Sequence, residues 1–165
     1  MAKGVVNTDR MTGTDVNAAL VSFKYMGAGS TATAIENGCV VRLNGLVSGE
    51  KEVFKGVTPA ASTDLEDLVV VAGVEKFYDG LTHNLDEFEN AAGAVIRGYR
   101  LKSGDVFSVT EDCITGTPKV GSIIEAQAGV KLKAVNTLTS GSTQIGTIID
   151  VYTMNGLTFY GILVK

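Results

Sequence analysis

Along this chain the apolar positions recur mostly every second residue, in short runs cut off by glycine, asparagine or proline. A period of two puts alternate side chains on opposite faces of a strand, so the pattern predicts a β-rich chain. Leu20–Tyr25 reads as a first strand, with Val21, Phe23 and Tyr25 on one face. Residues 39–43 lie between two Asn-Gly pairs, Asn37-Gly38 and Asn44-Gly45, which tolerate positive φ and read as turns. Residues 52–57 form the next run, and Pro59 closes it. Residues 68–72 are apolar at every position, the pattern of a strand buried on both faces. Residues 95–101 and 105–110 flank Ser103-Gly104 and predict a hairpin. Val130, Leu132 and Ala134 alternate with Lys131 and Lys133, giving one dry face and one wet face. Gln144–Met154 and Leu157–Val164 flank Asn155-Gly156, the strongest hairpin signal in the chain.

Two stretches depart from this pattern. Residues 1–19 show neither a period of two nor one of 3.6, and predict an extended N-terminal arm. Asn84 followed by Glu87 fits a capping box, and Gly93 fits a helix end. They predict one short helix near 85–92, with Leu85 and Phe88 facing inward. The fold class is therefore mainly β: a small β-barrel or sandwich-like body of short antiparallel strands, one short helix near 85–92 and an extended N-terminal arm. In domain terms this is an arm, 1–19, and a single β-rich domain, 20–165, which divides further, if it divides, into lobes at about 20–74 and 95–165.

Composition strengthens the β assignment. Val, Ile and Thr supply 47 of the 165 residues, and these types favour pleated, half-buried surfaces. The 20 glycines have no fixed period, which excludes a collagen or linker composition. A chain this long buries roughly 70% of its unfolded surface, enough to fold without a disulfide or metal staple. Fourteen basic and eighteen acidic residues give a net charge of −4. With no surplus of cations to neutralise phosphates, no nucleic-acid partner is expected. The longest apolar run, residues 68–74, falls short of the about 20 residues that span a bilayer, and the amino end lacks the apolar core of a signal peptide. The expectation is a soluble, non-secreted protein with no membrane partner.

Residues 64–89 hold eight acids, among them Asp64, Glu66, Asp67, Asp86 and Glu87, against the single base Lys76. One acidic face of this kind suits docking onto a complementary protein surface; a solvated helix with its flanking loops is the plainer account. Catalytic signals are sparse. His83 is the only histidine, no Gly-x-Ser-x-Gly elbow supplies a nucleophile, and two cysteines 74 residues apart with one histidine make no zinc set. No catalytic residue, metal or cofactor is expected, and Cys39 and Cys113 are expected as free thiols.

Three segments carry a resemblance. "AIENGCVVRLNGLVSGEKEVFKGVTPA", "NLDEFENAAGAVIRGYRLKSGDVFSVT" and "VNAALVSFKYMGAGSTATAIENG" resemble stretches of small β-rich structural proteins of tailed bacteriophages, the head-decoration or auxiliary capsid (cement) proteins. The resemblance runs over about residues 15–165 and is one of turns and strands, with no catalytic signature. It implies a non-enzymatic virion protein, made in the host bacterial cytoplasm, that binds the capsid exterior and stabilises it. The implied partners are major capsid protein subunits and copies of itself. The candidate capsid-binding residues are Val5, Val6, Met11 and Val16 on the arm and Asp64, Glu66, Asp67, Asp86 and Glu87 on the acidic segment. Two alternatives stand beside it: another virion part, such as a tail-tube or head-fibre base protein, and a non-catalytic β-barrel module for a carbohydrate or host surface.

Overall fold

The computed structural model describes residues 3–8, 19–28, 31–76 and 85–165. The expected mainly β architecture is present, as a closed barrel joined to an open sheet. The barrel is built from β2 (Leu20–Tyr25), β3 (Val40–Leu46), β4 (Val53–Val57), β5 (Leu68–Val71) and β6 (Ile96–Arg100). Around it the order is β2-β4-β3-β5-β6, and β6 pairs back onto β2. All its pairs are antiparallel except β2 with β4. The sheet adds β1 (Val6–Asn7), β7 (Val106–Thr110), β8 (Ile114–Gly116), β9 (Ile123–Glu125), β10 (Leu132–Val135), β11 (Gln144–Met154) and β12 (Leu157–Val164). Its order is β1-β7-β12-β11-β9-β10-β8, with one parallel pair, β10 with β8.

The two units share a wall. All four residues of β5 are fully buried, as its unbroken apolar run predicts. Val69 and Val71 point into the barrel, where they meet Phe23, Tyr25, Val41 and Ile96. Leu68 and Val70 point the other way, into a larger core shared with Phe107, Val109, Ile124, Ile148 and Ile162 of the sheet. β3 does the same with Val41 and Val40. A polar side chain at any of these positions would face a dry core on whichever side it turned. Barrel and sheet are thus packed through a common wall, and the passage from β6 to β7 falls at residues 101–105.

Phe23 fills the barrel. Glycines on the two flanking strands make room for it: a Cβ on Gly56 would stand 2.6 Å from the Phe23 ring, and one on Gly98 2.8 Å. Small barrels are filled by side chains rather than water, so one large ring opposite two bare backbones is a packing solution. At one end of β5 an amide staple ties the barrel mouth. Asn37 Oδ1 accepts from Gly73 N (2.8 Å) and Asn90 Nδ2 (2.9 Å), while Asn37 Nδ2 donates to Gly73 O (3.0 Å).

Several turns differ from their sequence reading. Ser103-Gly104 does turn the chain, but β6 and β7 are not a hairpin: β6 stays in the barrel and β7 pairs with β12. Asn44-Gly45 lies inside β3, where one extra residue between the Leu43 and Leu46 pairings forms a bulge with Gly45 at φ 65. Among the described residues the expected helix is a single 3-10 turn, Leu85–Glu87, after which Asn90 bridges Ile35; the expected cap, Asn84, lies outside them. A bridge at Asn90 leaves too few residues after Leu85 for a helix to propagate through to 92.

The terminal hairpin has the expected form. Asn155 and Gly156 have φ of 53 and 80, both positive as a type I′ turn requires, between the paired Met154 and Leu157. Gly156→Val should cost about 1–3 kcal/mol of stability through backbone strain. Thermal melting checks this, and an unchanged Tm would mean the turn relaxes to another type.

Candidate docking surfaces

The residues expected to dock divide into separate groups. Asp64, Glu66 and Asp67 sit on and beside a 3-10 turn, Leu65–Asp67, that leads into β5. All three carboxylates are exposed, while Leu65 tucks against the shared core. Asp67 N donates to Asp64 O (3.1 Å), and Arg100 Nη1 donates to Glu66 O (3.3 Å). The turn is therefore pinned from beneath while its charges point outward. Among the described residues none of the three makes an ion pair.

Clefts lie on either side of this ridge. One, about 320 Å³, is lined by Arg42, Thr58, Ser62, Thr63, Asp64 and Asp67. The other, about 680 Å³, is lined by Asp64, Leu65, Glu66, Leu101, Lys102 and Lys165. The hydroxyls of these walls are neighbours of the turn in sequence, but the cations come from distant parts of the chain. Arg42 is on β3, Lys102 follows β6 and Lys165 follows β12, so no local spacing signals their meeting.

Asp86 and Glu87 lie elsewhere. Residues 85–90 flank the opposite end of β5, beyond the Asn37–Asn90 staple, so the acidic segment is two patches parted by a buried strand rather than one face. The amide of Lys3 donates to the Asp86 carbonyl. Lys3 Nζ also pairs with Glu89 (3.4 Å) and Glu36 (3.5 Å), and Glu89 foremost raises the Lys3 pKa.

Residues 3–7, which the sequence places in the extended arm, are instead part of the body. Val5 is only 6% exposed, so it is not a free contact residue. Its N–H donates to Thr110 Oγ1 (3.1 Å), and its carbonyl accepts from Thr110 N (3.1 Å). β1 then pairs with β7, Val6 opposite Val109 and Asn7 opposite Ser108. Val6 is half-buried, and Asn7 Nδ2 reaches Tyr152 Oη (3.1 Å). Two apolar residues close together, Val5 and Val6, suffice for this because they fill an edge the sheet already offers; a two-residue strand carries no periodicity to read. Met11, Val16 and His83 lie outside the described residues.

Residues 3–7 also cover a thiol. A Cβ on Gly4 or Gly38 would collide with Cys113 Sγ, so only glycine fits at either position. Cys39 and Cys113 are both free and buried. Burial pushes the Cys39 thiol up strongly, and that of Cys113 up to about 12. Iodoacetamide should therefore leave both untouched in the folded protein and alkylate both after unfolding. Alkylation of native Cys113 would mean that residues 3–7 lift away from β7.

Glu125 of β9 is a buried acid held in an ion pair. It accepts from Lys133 Nζ (2.8 Å) across the β9–β10 pair, and from Thr139 N (2.8 Å) and Thr139 Oγ1 (2.7 Å) in the loop beyond. Every oxygen is satisfied, which makes it an anchor for the 136–143 connection. Among the described residues no three His, Cys, Asp or Glu side chains come together as a metal set. Comparison with protein-family models, with curated proteins and with solved structures gives no match.

Proposed function

We propose that this chain is a non-enzymatic virion structural protein that binds the exterior of an assembled phage capsid, contacting major capsid protein subunits, and stabilises the shell. The observation that carries the reading is the pinned acidic turn: three exposed carboxylates on a short turn anchored to the core that barrel and sheet share. Charges held this way are already ordered, so a basic partner surface would engage them without a large entropic cost. The resemblance of the three sequence segments to phage head-decoration proteins supplies the identity of that partner. A cement protein must itself be stiff, and a closed barrel sharing its wall with a sheet meets that need.

The test is binding to assembled shells against isolated capsid subunits. Sites made where subunits meet gather several weak contacts, so shells should be bound far more tightly. Replacing Asp64, Glu66 and Asp67 by Asn, Gln and Asn should weaken shell binding at least about tenfold, or about 1.4 kcal/mol, at low salt, and flatten its salt dependence. Equal affinity for shells and subunits would refute the proposal. An unchanged affinity of the neutralised variant would move the interface to another surface.

A further inference from the structure

We propose that Asn155 is a site of spontaneous deamidation, and that the fold selects it from three chemically identical Asn-Gly pairs. In such a pair the nitrogen of the following glycine attacks the asparagine Cγ. An N–Cγ bond forms, the Cγ–Nδ2 bond breaks and ammonia leaves, closing a five-membered succinimide. Water then adds to one of the two ring carbonyls. Opening at Cγ leaves aspartate; opening at the backbone carbonyl leaves isoaspartate, with the main chain rerouted through the β-carbon. The net change is hydrolysis of one amide, with water as the only co-reactant. Glycine favours the step because no side chain shields the attacking nitrogen.

The three pairs differ only in their surroundings. At Asn37-Gly38 both reacting groups are engaged. The Asn37 amide is 1% exposed and holds Gly73 and Asn90 through Oδ1 and Gly73 and Glu75 through Nδ2. The would-be nucleophile, Gly38 N, donates to Val71 O (2.9 Å). Reaction there would require the barrel mouth to open. At Asn44-Gly45 both residues are exposed, but pairings on each side, Leu43 with Gly56 and Leu46 with Phe54, hold the backbone. At Asn155-Gly156 both residues are exposed at the tip of the β11–β12 hairpin, and among the described residues nothing lies within 4 Å of a Cβ position on Gly156 and none accepts a backbone hydrogen bond from Gly156 N. Only the Met154–Leu157 pair must yield for the backbone to turn into the attacking geometry. The expected order of conversion is Asn155, then Asn44, then Asn37.

The experiment incubates the full, folded chain in mildly alkaline buffer, then digests it under mildly acidic conditions. Mass spectrometry follows the amide-to-acid mass gain in the three peptides, and electron-transfer fragmentation separates aspartate from isoaspartate. A parallel sample in denaturant measures the dipeptide chemistry without the fold. In the folded sample Asn155 should convert at least about tenfold faster than Asn37, the margin set by the opening each site requires, while the denatured sample should show the three converting at similar rates. Conversion of Asn37 as fast as Asn155 in the folded protein would overturn the proposal. So would an Asn155 that stays intact in the folded protein while reacting in denaturant, or an Asn44 that outpaces it.

Discussion

Phe23→Ala should remove about 3–5 kcal/mol of stability, the largest loss expected from a single truncation in the barrel. The ring is 0% exposed and stands opposite Gly56 and Gly98, which have no side chains to move into the space it leaves. Neighbouring strands are tied on both sides in a closed barrel, so collapse around the void is limited. In a chain of this size the melting temperature should fall on the order of 10 °C. A change below about 1 kcal/mol would show that the barrel repacks, and Phe23→Leu, which keeps most of the volume, should cost less than Phe23→Ala.

Glu125→Ala should be the second large effect, on the order of 3 kcal/mol. That is the low end for breaking a buried pair, because Lys133 is 36% exposed and can turn to water. Burial pushes the Glu125 carboxyl up, but the Lys133 ammonium and the Thr139 N–H and hydroxyl outweigh it, so the group sits below its usual 4.5. The folded protein thus holds this proton less tightly than the unfolded chain. The stabilisation is complete above the usual value and is lost as the pH falls through the lowered native one. Denaturant titrations across that range should show wild type losing its advantage over Glu125→Ala on acidification. A difference between the two that stays constant with pH would mean that Glu125 is not ionised in the fold.

Much of the framework could be read from the chain because its strands carry a strong local signal. Leu20–Tyr25, Gln144–Met154 and Leu157–Val164 have the limits their pattern predicts, and the type I′ turn at Asn155-Gly156 follows from the two residues alone. The solid run at 68–72 predicts burial on both faces, and all five residues are buried. Pairing was not legible in the same way. Ser103-Gly104 announces a reversal, yet nothing in residues 95–110 says that one strand closes a barrel and the next joins another sheet, since both partners lie far along the chain. The expectation of one acidic face misses for a related reason: linear charge density ignores the buried strand that passes between Asp67 and Asp86. Val5 and Val6 carry no local signal of their pairing because an edge formed by β7 orders them, and that edge lies about a hundred residues away.

The pairing of β1 with β7 also sets an order of events during synthesis. Val6 emerges from the ribosome about a hundred residues before its partner Val109, which must then be positioned by β12 before the ladder can close. Until then the first strand and Gly4 have nowhere to lie, and the Cys113 thiol has no cover. Closing so long a loop is entropically slow, and a body dominated by such distant pairings gains its last contacts late. A nascent chain halted before β12 would therefore carry an unfinished sheet beside its barrel, exposing apolar edge to chaperones and to neighbouring chains on the same message.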